Sequence, residues 1–205
     1  GYKVETISFP RYGITKSSKL IQQYLKGDFG DIYDVDPYLS GMFYALDRKE
    51  SKEELELLLN TNDIVICDRY VLDGMLYDLA KLPLKSKEAI KYIDWRFNLE
   101  YYDFKLPKPD LQLFLYIPVD ISFELITSRS KIIKNFNVDI YEKDKAYQSK
   151  ILEIFNNEFE TQLKIKIINC VDITTNKLYN KYYITQLIIE LLNTYFFNIK
   201  RRWRI

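Results

Sequence analysis

The sequence predicts an α/β domain, a parallel sheet flanked by helices. Short apolar runs of strand length alternate with longer stretches of helical periodicity, the pattern of βα units. One run, Asp63-Ile-Val-Ile-Cys-Asp68, is continuously apolar, as a strand covered on both faces is. The 205 residues are 47% hydrophobic and 29% charged, with six glycines and six prolines, which suits one globular domain and excludes a disordered, collagen-like or linker-rich chain.

The elements follow in order. Tyr2 to Phe9 alternates, with Val4, Ile7 and Phe9 apolar, and stops at Pro10, which cannot donate to a strand ladder. A helix is expected from about Thr15 to Lys26, with Leu20, Ile21, Tyr24 and Leu25 at helical spacing and Gly27 as the stop. Asp36 then caps a helix that Pro37 opens and that carries Leu39, Met42, Phe43 and Leu46 on one face. Lys52 to Leu59 reads as helix and leads into the buried run ending at Asp68. Leu72 to Lys81 and Lys85 to Phe104 read as helices, and Pro107-Lys108-Pro109-Asp110 punctuates the chain before a strand from Leu111 to Ile117. Asp120 caps a helix to about Arg129. A long helix from about Tyr141 to Leu163, a strand from Ile165 to Val171 and a helix from about Lys181 to Asn198 complete the chain.

Composition narrows the chemistry. Thirty Lys and Arg nearly balance 29 Asp and Glu, so net charge gives no reason to expect a nucleic-acid or membrane-surface partner. There is no histidine, which removes Ser-His-Asp and Cys-His catalysis and His-based zinc sites. Cys67 and Cys170 lie in apolar runs, where cysteine acts as a small buried hydrophobe. Two cysteines so far apart make no disulfide framework, which fits an intracellular, reducing compartment, the cytoplasm or an organelle. No apolar run approaches the ~20 residues of a membrane span.

In an open parallel sheet, ligands bind beyond the carboxyl ends of the strands. There the sequence places Arg11 after the first strand and Asp68-Arg69 after the second. Two arginines and an aspartate converging on one crevice suit an anionic substrate with a bridging magnesium ion, because guanidinium forks pair bidentately with phosphate. An apolar strand closed by Asp68 has the form of the carboxylate that helps to hold magnesium in nucleotide enzymes.

The combination of segments is more specific than any one of them. Phe9-Pro10-Arg11-Tyr12-Gly13, Asp36-Pro37-Tyr38-Leu39, Tyr44-Ala45-Leu46-Asp47-Arg48, Asp68-Arg69-Tyr70-Val71, Leu106-Pro107-Lys108-Pro109-Asp110 and Asp139-Ile140-Tyr141-Glu142 closely resemble thymidylate kinases, in collinear order over nearly the whole chain. The resemblance implies a P-loop kinase-like three-layer sandwich and transfer of the γ-phosphate of ATP to dTMP with magnesium. It implies that Arg11 and Arg69 clamp the acceptor phosphate and that Asp68 serves magnesium or its water shell. Tyr44 would stack on the thymine, Arg48 would contact a base oxygen and Tyr141 would approach the sugar. Arg129 would belong to a lid, about residues 129–140, closing over the phosphates. Each role has a plainer alternative: Tyr44 as core, Arg129 as a solvated charge, Tyr12 and Tyr77 as packing.

Two departures qualify the resemblance. Where the family has a small or polar Ser-Asn pair and then a Gln near the base, this chain has Leu72-Asp73-Gly74 and Asp78, so Asp73 adds negative charge near the acceptor phosphate. The family's donor-phosphate loop, G-x-x-x-x-G-K-[ST], occurs nowhere in the 205 residues. In the family that loop and its strand precede the element that opens this chain, and the strand lies at the centre of a 2-3-1-4-5 sheet. The chain is therefore expected to lack the central strand, to leave two ladders unpaired at ~1 to 3 kcal/mol for each buried bond left unmade, and so neither to fold alone nor to show phosphoryl transfer alone. The strand would lie outside these residues, come from a partner chain that completes the sheet, or be replaced by a rebuilt sheet.

Two functional expectations result. One is a dTMP kinase using ATP and Mg2+. The other is a catalytically dead, kinase-like subunit of a larger assembly, in which the basic tail Lys200-Arg201-Arg202-Trp203-Arg204 could touch a partner or RNA. A homodimer through the aromatic helix Lys85 to Phe104 or the face Tyr38 to Leu46 is a further expectation.

Overall fold

The structure, a computed structural model, describes residues 1–132, 139–155, 165–172 and 174–202. The chain forms two compact units, residues 1–109 with 137–157, and residues 110–136 with 158–205.

The first unit is built on two parallel strands, β1 (Val4–Ser8) and β2 (Ile64–Asp68), in register from Val4 opposite Ile64 to Ser8 opposite Asp68. Ile7, Phe9 and Leu55 form a buried cluster under this pair, with Leu58, Val65, Cys67 and Tyr70 packed against it. Cys67 thus acts as the expected apolar filler, its thiol pushed up to about 11 by burial.

The helices of this unit are α1 (Ser17–Lys26), α2 (Pro37–Glu50), α3 (Lys52–Thr61), α4 (Val71–Leu79), α5 (Lys87–Phe97), α6 (Ile140–Lys143) and α7 (Lys145–Phe155). Their ends are chemically explicit. Gly27 closes α1 in the left-handed region at φ 89°, its N–H turned back to helix carbonyls, which glycine does without a Cβ penalty. Asp36 accepts the Tyr38 N–H at the start of α2, with Pro37 at the first helical position.

Two predicted helices are interrupted. The Lys85 to Phe104 stretch is α-helical only over α5 and continues as a π-helical turn, Asn98–Asp103, which re-aims Glu100 into the interior. The predicted helix from Tyr141 breaks at Asp144, whose backbone is extended and whose carboxylate accepts the Tyr147 N–H, so that a second helix starts there. Its predicted end at Leu163 lies outside the described residues.

The second unit pairs β3 (Gln112–Tyr116) in parallel with β4 (Ile165–Asn169), Gln112 opposite Ile165. It also holds α8 (Val119–Ile132), α9 (Lys181–Arg202) and a two-residue antiparallel pair, β5 (Val171–Asp172) with β6 (Lys177–Leu178). The fourth predicted strand therefore ends at Asn169, and Val171 turns into the small hairpin instead. Among the described residues each parallel sheet has two strands, first with second and third with fourth, as the 2-3-1-4-5 order implied by the resemblance would leave them. Most of the expected lid and the end of the basic tail fall outside the described residues. No helix among the described residues is long and apolar enough to cross a membrane.

Candidate active site

The site grows from the carboxyl ends of β1 and β2, which the register brings level. The Phe9 N–H donates to the Asp68 carbonyl at 2.9 Å, extending the ladder by one bond beyond the strands. The chain after β1 then turns through Arg11 to Thr15, and the chain after β2 through Arg69, which is held at φ 63°. A left-handed arginine is costly, and such strain collects where a side chain must be aimed. It leaves Asp68 and Arg69 exposed at the strand ends.

The Arg11 loop is tied to α2. The carboxylate of Asp47, 1% exposed, accepts the Arg11 N–H at 3.0 and 3.3 Å and the Thr15 hydroxyl. One turn on, Glu50 accepts the N–H groups of Lys16 at 2.7 Å and Ser17 at 3.2 Å, and the Ser17 hydroxyl. Glu50 thus satisfies two free donors at the start of α1, while Asp47 ties down the loop before it. Burial pushes the Asp47 carboxyl up, against the hydrogen bonds that favour its charge.

The same helix carries Tyr44 and Arg48. Tyr44 is half-buried, and desolvation pushes its phenol well above the usual range. A Cβ placed on Gly74 of α4 would lie 3.7 Å from the Tyr44 Cβ, so the missing side chain opens the wall beside that ring. Arg48 is sealed, at 2% exposure. Its Nε and Nη2 donate to the two Glu100 oxygens at 2.6 and 2.7 Å, and its Nη1 donates to the Tyr70 carbonyl at 3.4 Å. Glu100 also accepts from Arg96 Nε at 2.5 Å. Desolvation raises the Glu100 carboxyl, but Arg48 and Arg96 outweigh it and hold it below the usual glutamate range.

Arg96 links this cluster to Asp78, 3.5 Å from its Nη1. Asp78 also accepts from Ser40 at 2.5 Å and from Tyr92 at 2.7 Å. Lys81 donates to the Tyr24 hydroxyl, the Val35 carbonyl and the Ser40 hydroxyl at 2.8 to 3.0 Å. Tyr24 in turn shares a 2.7 Å hydrogen bond with Tyr141.

Asp68 is a single carboxylate at a strand end, and among the described residues no group of three or more acidic or cysteine side chains could hold a metal ion. One carboxylate suits magnesium, which keeps waters and takes its other ligands from substrate phosphates.

The sequence profile of the thymidylate kinase family matches residues 1–176. The chain belongs to the thymidylate kinase family. The thymidylate kinase of Mycobacterium tuberculosis (strain CDC 1551 / Oshkosh) is 31% identical over 150 residues, 73% of this chain and 69% of that one. A probable thymidylate kinase of Thermoplasma volcanium is 25% identical over 139 residues, 66% of this chain and 67% of its own. The solved structure of thymidylate kinase from Candida albicans shares the P-loop kinase fold, with a TM-score of 0.65 at 24% identity over 93% of this chain and 80% of that one.

Within this family member, the structure gathers Arg11, Tyr44, Asp68, Arg69 and Asp73 around the ends of β1 and β2 and the facing parts of α2 and α4. Asp73 lies in the first turn of α4, 3.9 Å from Arg69 Nε, and burial pushes its carboxyl up against the pull of Arg69 and Arg48. Arg48 and Tyr141 lie behind this front, Arg48 on Glu100 and Tyr141 buried against Tyr24, Tyr77 and Tyr147. Arg129 is exposed on α8 of the second unit. Residues that sequence reasoning missed are Asp47, Glu50, Glu54, Arg96 and Glu100. Only Arg96 and Glu100 left a trace, a four-residue spacing of opposite charges on one predicted helix.

Proposed function

We propose that the first unit binds dTMP and that the chain serves ATP-dependent phosphorylation of dTMP to dTDP. The supporting observation is the level ending of β1 and β2, which sets Arg11, Asp68 and Arg69 together on one edge beside Tyr44. Two guanidinium groups there would grip the 5′-phosphate and offset its repulsion from an approaching donor. Tyr44 would offer its ring to the thymine, with Arg48 and Glu100 as a rigid charged floor behind it. Asp47 would hold the Arg11 loop, and Tyr141 would back the sugar side from the interior, through Tyr77.

In the reaction an oxygen of the dTMP phosphate attacks the γ-phosphorus of ATP. The new P–O bond forms as the bond to the β-phosphate bridging oxygen breaks, and ADP leaves with that electron pair. Magnesium, when bound with ATP, neutralises charge on the transferring group, and Asp68 is the residue that would hold it or its waters.

The donor-phosphate motif is absent from these 205 residues, so we propose acceptor binding without turnover for the chain as given. The test is calorimetric titration with dTMP and thymidine, followed by an ATP-plus-dTMP assay with magnesium. Tighter binding of dTMP than of thymidine, with Arg11→Ala and Arg69→Ala each removing the difference, supports the acceptor site. Equal binding of the two would sink it, and dTDP formed by the 205-residue chain would overturn the absence of turnover.

A further inference from the structure

Both arginines at the strand ends already hold an anion. Arg11 Nη2 lies 2.5 and 2.6 Å from the two oxygens of Glu54, on the exposed side of α3. Arg69 Nε lies 3.9 Å from Asp73 Oδ2. Two cations are thus matched by two carboxylates, one on each neighbouring helix. As stability devices such exposed pairs contribute little. Their placement is what distinguishes them, because they engage the two guanidinium groups that a phosphate would need.

The Arg11 geometry shows which part of that side chain can exchange. Its backbone is fixed by Asp47, whereas its Nε is buried without a hydrogen-bond partner in the Glu54-bound arrangement. That arrangement leaves one donor unmet, so a second anion offering more oxygens can draw the guanidinium away. A phosphate monoester has three terminal oxygens and up to two charges, and it forms shorter and stronger charge-assisted bonds than a carboxylate partly bathed in water.

We propose that Glu54 and Asp73 are resident counter-anions of the acceptor-phosphate site, holding Arg11 and Arg69 while it is empty and yielding them when a nucleoside 5′-monophosphate enters. This rests on the reading of Arg11 and Arg69 as phosphate ligands. Each carboxylate balances the charge of its own arginine, Glu54 that of Arg11 and Asp73 that of Arg69. In return they weaken phosphate binding by the strength of the pairs that must break. An uncharged nucleoside breaks neither pair.

The experiment is calorimetric titration of the 205-residue chain with dTMP and with thymidine, for the wild type, Glu54→Gln, Asp73→Asn and the double variant. Removal of each carboxylate is expected to tighten dTMP up to about fivefold, the range of exposed ion pairs, with the double variant tighter than either. For Glu54→Gln, thymidine affinity is expected to stay at the wild-type value. Glu54 is exposed and Asp73 half-buried, and thermal unfolding checks that the variants fold. Unchanged or weaker dTMP binding in Glu54→Gln would overturn the proposal, showing Glu54 to be inert or to position Arg11 for phosphate. Equal wild-type affinity for dTMP and thymidine would overturn the phosphate site itself, and the counter-anion role with it.

Discussion

Arg48 and Glu100 meet side-on, two guanidinium nitrogens on two carboxylate oxygens at 2.6 and 2.7 Å, with both side chains closed to solvent. They join α2 to the π-helical turn 98–103, and Arg96 adds a second guanidinium to the same carboxylate. A buried pair of this kind adds little over an apolar replacement, but removing one member strands the other in the interior. Glu100→Ala would leave two arginines without their main acceptor. It is expected to cost about 3 to 5 kcal/mol in denaturant unfolding, and a loss below 1 kcal/mol would show that the cluster relaxes or admits water.

The same cluster sets an acid dependence with opposite signs at two residues. Glu100 is held below the usual glutamate range, so the folded state binds its proton more weakly than the unfolded one. Its contribution is complete above the unfolded value, ~4.3, and is lost as pH falls through the lower folded value. Asp78 is raised by burial, in spite of Arg96 and Lys81. Its folded form takes the proton more readily, so stability gained through Asp78 grows as pH falls through its raised value. The stability difference between wild type and Glu100→Gln should therefore shrink below about pH 4. The difference between wild type and Asp78→Asn should move in favour of the wild type over mildly acid pH. Unfolding midpoints of the three proteins across about pH 3 to 8, on both sides of the ordinary carboxyl range, check the two signs, and parallel curves would refute the assignment.

The strands, the caps at Asp36 and Gly27, and the front of the site were legible because each rests on local pattern: a continuous apolar run, a proline after an aspartate, charge just past a strand end. Arg48 illustrates where that reading stops. Its spacing from Tyr44 shows a shared helix face, but not that Glu100, 52 residues on, takes its guanidinium. That pairing depends on the π-helical turn, which adds a residue to the helical count and has no period of its own in sequence. Asp47 was hidden for a related reason. It sits beside Arg48 in sequence yet faces the Arg11 loop, a contact set by packing between elements. Asp144 interrupts a sound helical pattern by competing locally for a backbone N–H.

Asp47 makes a prediction that separates positioning from folding. Asp47→Ala removes the acceptor of the Arg11 N–H and the Thr15 hydroxyl and should cost about 1 to 3 kcal/mol of stability. If the loop it holds carries a phosphate ligand, dTMP affinity should fall while thymidine affinity changes little. Titrations of folded Asp47→Ala and Asp47→Asn with both ligands test this. Equal weakening of dTMP and thymidine would mean a general loss of packing instead.

Two buried glycines offer a final comparison, because an added Cβ would meet its nearest neighbour at 2.2 Å on Gly41 and at 3.3 Å on Gly74. A Cβ on Gly41 of α2 would fall 2.2 Å from Arg96 Nη1 and 2.6 Å from the Tyr92 hydroxyl, both locked to Asp78. Neither neighbour can retreat without leaving a buried polar atom unpaired, so Gly41→Ala should destabilise by about 1 to 3 kcal/mol or more, although alanine favours helix. A Cβ on Gly74 would meet its nearest neighbour, Arg96 Nη2, at 3.3 Å. That contact is tight by only a few tenths of an ångström, which a slight tilt of the guanidinium meets while its Nε and Nη1 contacts are kept. Gly74→Ala should therefore stay within about 1 kcal/mol of wild type, the helix-propensity gain offsetting the contact. It should instead act on the ligand by narrowing the wall beside Tyr44. Thermal unfolding of both variants decides the ranking, and a Gly41→Ala protein as stable as wild type would mean that Arg96 is not wedged between α2 and α4.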